Sequence, residues 1–329
     1  MDTHLTYKTT GVDIDKGNTF VQNIKHHVES TYDSNVLGHH GNFGGQYKYH
    51  DNVLVASTDG VGTKGILVKE YTGNYYNCGH DIVNHSINDI LVQGGTPMFF
   101  LDYIASGSIN LDDCTSFVKG CCDACKQVGC SLLGGETAEM PSVYKDGHMD
   151  MVGTIVGEKT IHIDLQGVHE GDIAIGFASS GPQTNGYTLI RKIIHDASLN
   201  SQPPSTQLMD VFTTPHSAFL EPVKHLERIC IITGMCHITG GGLTENLKRV
   251  IPSDLCLPSI NDIILPDWCN WLQTHGNISI DEMKKVFNCG IGFIVFIRPS
   301  ELQTINHVIQ SIPDSLQPIP LGTVQKTNI

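Results

Sequence analysis

Apolar and polar positions follow two rhythms along this chain. Over residues 81–93 the apolar side chains Ile82, Val83, Ile87, Ile90 and Leu91, with Ser86 among them, recur at helical spacing. The pattern predicts a helix there, and similar patterns predict helices over 17–30 and 112–129. Short apolar runs over 53–58, 98–106 and 150–156 predict strands, and 134–141 is polar enough to predict a loop. Residues 158–171 are polar and turn-rich, so the expected domains are 1–166 and 167–329. In the second half, 172–178 and 291–297 read as strands, with a last strand near 319–324. Helices are expected over 187–195, 281–287 and 300–312, as a short one after Gly242, and from Thr214-Pro215, because proline suits a first turn. Alternating strands and helices in both halves predict an α/β (α+β) chain of two layered domains.

The 329 residues are 40% hydrophobic and 16% charged, enough to bury a core and too apolar for disorder. A formal charge of −14 without a basic stripe argues against nucleic acid and anionic membranes as partners. No apolar run reaches the roughly 20 residues of a membrane helix. The first residues lack a signal-like apolar core, and eleven cysteines are scattered, which points to reduced thiols and a cytoplasmic location. Cys122-x-x-Cys125, with Cys121 and Cys130, resembles half a zinc site, but on a helix these residues also serve as small apolar fillers.

The chemistry-bearing residues cluster at glycine-rich loops. Gly60, Gly62 and Gly65 spell a dinucleotide-type G-x-G-x-x-G, with Asp81 downstream. In that motif the acidic residue ends a second strand, and residues 69–79 form none. Asp59 before these glycines and Lys64 among them suit a metal-bound polyphosphate instead, carboxylate to magnesium and ammonium to phosphate. Asp89 by itself reads as a solvated helix residue. Glu136 and Glu139 alone read as a helix-start pair. Together the four carboxylates offer oxygen ligands for one or two magnesium ions. Ser180, Gly181, Thr184, Asn185 and Gly186 lie between a strand and a helix, where backbone amides can hold phosphate or simply turn the chain. Gly240, Gly241 and Gly242 offer a similar turn, and His237 before them is a polar or acid–base candidate.

These motifs, in order, resemble the phosphoribosylformylglycinamidine cyclo-ligase (AIR synthetase) family of purine biosynthesis. The matching stretches are GVDIDKGN from Gly11, STDGVGTK from Ser57, NDILVQGGTPMFFLDY from Asn88, GCSLLGGETAEMP from Gly129, SSGPQTNGYTLIRKI from Ser179, HITGGGLTENLKRVIP from His237 and FNCGIGF from Phe287. The resemblance implies a homodimer joined through its N-terminal sheets. It implies conversion of formylglycinamidine ribonucleotide and ATP to aminoimidazole ribonucleotide, ADP and phosphate, through a phosphorylated amide. It implies magnesium at Asp59 and Asp89 and an acid–base or polar role for His237. For ATP it implies Lys25, Gly44, Gly45, Gly60, Gly62, Lys64, Glu136 and Glu139, with residues 38–45 as a flap. For the ribose phosphate it implies Asn185, Gly186, Gly240 and Gly241, with Ser180, Gly181 and Thr184 beside them. Three positions depart from the family pattern: Gln183 stands for a common histidine, Gly95 for alanine, and His216-Ser217 for a Thr-Arg pair. A sibling ATP-using enzyme of the selenophosphate synthetase kind is the alternative, although residues 38–45 carry no cysteine. A cysteine-cluster metal protein is the alternative from another class.

Overall fold

The computed structural model describes residues 5–38, 41, 43–299, 305–316 and 318–327. His39, His40 and Asn42 of the expected flap, and residues 300–304 at the start of the expected last helix, lie outside the described residues.

In the first half, β1 (Val36–Leu37), β2 (Gly45–Tyr49), β3 (Asn52–Gly60), β4 (Gly95–Ser106), β5 (Ser131–Glu139) and β6 (Met149–Lys159) form a sheet ordered β1-β2-β3-β6-β4-β5. Only the β4–β5 pair is parallel. Alternation along the strands sends Val55, Phe100, Ile104 and Ile155 to one face. There they pack with Ile82, Ile87 and Ile90 of α3 (Tyr76–Leu91; α1 is Ile14–Glu29 and α2 is Lys64–Thr72). A second helix, α4 (Leu111–Val128), lies on α3. Glycines permit this crossing: a Cβ on Gly79 would sit 2.2 Å from the Phe117 carbonyl oxygen, and one on Gly120 would sit 2.1 Å from that of Tyr76. Cys121 and Cys125 fill the inner face of α4 as buried thiols.

In the second half, β7 (Ile173–Ala178), β8 (Ile231–His237), β10 (Ile291–Arg298) and β11 (Pro318–Thr323) form an antiparallel sheet ordered β11-β7-β10-β8, while β9 (Leu255–Cys256) pairs with β12 (Gln325–Lys326). Strand β10 is buried from Ile291 to Ile297, so helices cover it on both sides. The helices here are α5 (Tyr187–Leu199), α6 (Thr206–Thr213), α7 (Leu220–Glu227), α8 (Gly242–Lys248), α9 (Asp267–Gly276), α10 (Ile280–Val286) and α11 (Ile305–Ser311). One hydrophobic core runs through both halves, joining Ile82 and Ile87 to Leu220, Phe293 and Val295.

Two expectations need correction. Residues 134–141 are not simply a polar loop, because β5 runs through Glu139. It is an edge strand exposed along most of its length, so no apolar alternation marks it. Thr214-Pro215 does not open a helix: Thr214 is extended and caps the end of α6, and the next helix starts at Leu220. The extended stretch between them lies across α3 and shapes the site.

Candidate functional site

Helix α3 carries Asp81, His85 and Asp89 at intervals of four, with Asn84 and Asn88 beside them, so these polar side chains share one face. The face is not solvated. From Cys78 to Leu91 every residue of α3 is buried. The polar face receives the extended chain of the second half. Asn84 Nδ2 donates to the His216 carbonyl at 2.7 Å, and Asn88 Nδ2 donates to that of Ser217 at 2.8 Å. The His216 backbone N–H donates to Asp81 at 2.7 Å, and the Phe219 N–H donates to Asn88 Oδ1 at 2.9 Å. A buried backbone needs partners, and α3 supplies them from its side chains.

At the C-terminal end of this face the ionisable groups converge. The last turn of β3 presents Asp59. His85 Nε2 lies 2.8 Å from Asp59 Oδ2 and 3.4 Å from Asp89 Oδ2. The other ring nitrogen, Nδ1, lies 2.8 Å from Thr184 Oγ1. Ser57 Oγ donates to Asp89 at 3.2 Å, and His237 Nδ1 lies 2.9 Å from Asp89 Oδ1. His237 Nε2 is 3.3 Å from His216 Nε2, and the three imidazoles touch edge-on with centroids 5.0–5.2 Å apart.

Charges within this cluster are unequal. Burial alone would lower the pKa of His85, but the Asp59 and Asp89 carboxylates raise it well above the ordinary histidine range. Burial opposes the ionised form of both aspartates, yet His85 holds each below the usual carboxylate range. Burial lowers His237 despite Asp89, and burial together with the neighbouring His237 and His85 lowers His216 strongly. The cluster therefore holds two carboxylates, one imidazolium and two neutral imidazoles at neutral pH. It opens on a cavity of about 310 Å³ between the halves. Asp59, His85 and Asp89 line it from the first half; Asn185, Thr239, Gly240 and Arg249 line it from the second.

The structure thus brings Asp59, Asp89, His237, Thr184, Asn185 and Gly240 together. Other expected residues stand elsewhere or serve the backbone. Lys64 is the clearest correction to a phosphate role. Its ammonium is fully buried, 2.6 Å from Asp81 and 2.7 Å from the Thr214 carbonyl. Ser180 spends its hydroxyl on the Pro215 carbonyl at 2.6 Å, and the Gly181 carbonyl accepts from Asn288. Gly186 packs where a Cβ would meet the Phe287 ring at 2.3 Å, and Gly241 caps α8, which is only seven residues long. Gly44 lies against Val55 and the Asp89 carbonyl, Gly45 pairs with Ala56, and Gly60 and Gly62 turn the chain from β3 into α2. Lys25 sits on α1, which buries none of its residues, 3.8 Å from Glu29. Glu136 pairs with Tyr103 on β4, Tyr103 with Val152 and Val152 with Gly60. That register puts Glu136 about 14 Å from the end of β3. Glu139, also on β5, accepts from the Ile109 N–H.

His85, His216 and Arg249 are the site residues that sequence reasoning missed. His85 had a signal, its spacing of four from both Asp81 and Asp89. His216 stood out only as a departure from the family pattern and Arg249 only as part of a matching stretch, because long-range packing brings them to α3 and the cavity. Gln183 is buried with positive φ, and both of its side-chain amide atoms lack a hydrogen-bond partner among the described residues.

Residues 44–159 match the AIR synthase related protein N-terminal domain, and residues 169–313 match its C-terminal domain. The chain belongs to the AIR synthase family. The phosphoribosylformylglycinamidine cyclo-ligase of Nitrosospira multiformis is 42% identical over 316 residues, covering 93% of this chain and 90% of the relative. That of Xylella fastidiosa is 41% identical over 320 residues, covering 94% and 91%. Among solved structures, AaThiL complexed with AMPPCP and TMP aligns with a TM-score of 0.62 over 94% of this chain and 90% of its own, at 15% identity. That likeness shows the shared fold. Within the AIR synthase architecture the cavity lies at the seam: Asp59, His85 and Asp89 belong to the first matched region, and Asn185, His237 and Arg249 to the second.

Proposed function

We propose that this member of the AIR synthase family uses ATP to close formylglycinamidine ribonucleotide to aminoimidazole ribonucleotide, releasing ADP and phosphate, as a cyclo-ligase of purine biosynthesis. The observation that carries the reading is the cavity in which Asp59 and Asp89 of one half face Asn185, Thr239 and Gly240 of the other. An amide oxygen is a poor leaving group. Transfer of the γ-phosphoryl group to it breaks the terminal P–O bond of ATP and makes the oxygen a phosphate ester. The internal amine then attacks the same carbon, and the oxygen departs with the phosphate. The protein's work is to position charge and exclude water.

Asp59 and Asp89 are the residues that would hold magnesium. Their oxygens aim at one spot, shared now by His85 Nε2, and an all-oxygen donor pair suits that ion. Bound there, the ion would neutralise phosphate charge. His85 keeps both carboxylates ionised and oriented. His237 holds the second oxygen of Asp89 and in turn meets His216. Thr184, Asn185 and Gly240 stand on the ribonucleotide side. The family resemblance and the ATP analogue on AaThiL support ATP as the nucleotide.

The gap between the two matched regions supports a domain division near residue 166. A homodimer through the first sheet is supported by β4 and β5, which leave Met98, Leu101 and Leu133 exposed. Among the described residues no helix is long and apolar enough to cross a membrane. A cytoplasmic location is part of the same reading. The test is ADP release with magnesium, with and without formylglycinamidine ribonucleotide, while a diazo colour assay follows the imidazole. Matched, substrate-dependent formation of both is expected. ATP hydrolysis without imidazole would move the chain to a sibling activity.

A further inference from the structure

A second cavity of about 410 Å³, lined by Val92, Gln93 and Met235 among others, adjoins the carboxylate cavity. Phe43 and Arg249 line both cavities and form the partition between them. The Arg249 guanidinium carbon lies 4.8 Å from the centre of the Phe43 ring. Phe43 is itself tied to the site, because Ser57 Oγ, which reaches Asp89, also donates to the Phe43 carbonyl at 3.0 Å.

Like Arg191 and Arg228, Arg249 stands outside the ion pairs among the described residues, but it lines the carboxylate cavity and they do not. The chain has 34 acidic and 20 basic residues, yet Arg249 forms no ion pair among the described residues. Arg298 shows the opposite case, with Asp164, Asp172 and the Gly167 carbonyl around its guanidinium. A guanidinium resting on an aromatic face keeps its in-plane N–H donors unspent, and a planar fork of donors fits two phosphate oxygens. Arg249 is exposed and lines the cavity from the second half of the chain, whereas Asp59 and Asp89 line it from the first.

On the reading that the site transfers phosphate to an amide, we propose that Arg249 is a catalytic residue that grips the phosphoryl group in transit, and that Phe43 parks it between turnovers. The two carboxylates and their cation serve one side of the group, and Arg249 serves the other. Arg249 donates hydrogen bonds only: the bond broken is the terminal P–O of ATP, the bond made is from phosphorus to the amide oxygen, and no proton leaves the guanidinium.

The experiment compares wild type with Arg249→Ala and Arg249→Lys for ADP and imidazole formation, with and without added guanidinium. The expected result for Arg249→Ala is a fall in kcat of roughly 100-fold or more. Guanidinium chloride at millimolar concentration should restore Arg249→Ala at least about tenfold, where sodium chloride at equal ionic strength does not. Arg249→Lys should remain impaired, because an ammonium lacks the fork. A folded Arg249→Ala with wild-type kcat overturns the proposal, and so does a loss that guanidinium leaves unchanged. Failure of wild type to make imidazole refutes the parent reading instead. If wild type then still hydrolyses ATP, the Arg249 comparison runs on ADP release alone.

Discussion

Two charged clusters lie along the same face of α3, and they have opposite characters. At one end, Lys64 and Asp81 are 2.6 Å apart with no exposure of either side chain. Lys64 also donates to the Thr214 carbonyl, and Asp81 Oδ1 also accepts from the His216 N–H. Further along, His85 lies 2.8 Å from Asp59 and 3.4 Å from Asp89, and the Asp59 side chain is 45% exposed. The first cluster is closed by the second half of the chain and has no opening to a ligand, although Asp81 Oδ2 has no hydrogen-bond partner among the described residues. The second has two carboxylates for one imidazolium and an opening. Residue type does not separate a lock from a reactive site here; access does.

The sharpest break of that comparison is at the lock. Lys64→Met should destabilise the fold by about 3–5 kcal/mol, because it strands the Asp81 carboxylate in the core. Adding Asp81→Leu should recover much of the loss, as buried pairs are often replaceable by apolar side chains. Thermal melts of the single and double variants check this, and a neutral Lys64→Met would show that the pair is not sealed.

At the open cluster the effect should fall on turnover instead. Asp59→Asn and Asp89→Asn should each cost roughly 100-fold or more in imidazole formation, by weakening the cation site. The loss in melting stability should be smaller for Asp59→Asn, whose side chain is the more exposed. Wild-type rates in both variants would sink the metal assignment.

The neutral histidines sharpen the comparison through pH. The pKa of His216 in the fold is well below its ordinary value, through burial and the neighbouring histidines. The unfolded chain therefore takes the proton first. Stability from this group is complete above about pH 6.5 and falls as pH drops below it, by up to about 1.4 kcal/mol per unit. His237 acts in the same direction. His85, raised in the fold, acts oppositely: its contribution is complete below about pH 6.5 and is lost as pH rises through its raised value. Melting temperature should drop between pH 7 and 5.5, and His216→Gln should flatten that drop. An unchanged slope would mean that the folded protein already carries the proton on His216. The smallest effect is expected at Cys122→Ser, within about 0.5 kcal/mol and with activity kept, since Cys122 is only partly buried on α4. A collapse there, with zinc released, would revive the cysteine-cluster reading.

Much of the first half was legible. The stripe of Ile82, Ile87 and Ile90 announced α3, because an amphipathic period needs only local sequence. Asp59 at a strand end before glycines announced a polar turn. Strand β5 was not legible, since an edge strand exposed along most of its length carries no alternating pattern. The role of Lys64 was misread for a related reason: a lysine among glycines suits phosphate chemistry until a distant backbone carbonyl caps its ammonium.

The sequence by itself determined the family, the two-part α/β plan and the carboxylates at the glycine loops, because periodicity, turn chemistry and ordered motifs are local properties of the chain. Only the tertiary structure decided that Asp81 binds Lys64 while Asp89 faces a cavity. It also decided that His216 and His237 back Asp89 and that Arg249 lines the same cavity. These placements depend on folding residues 213–249 against α3 across more than a hundred residues of chain, and solvent access is set only when that interface closes.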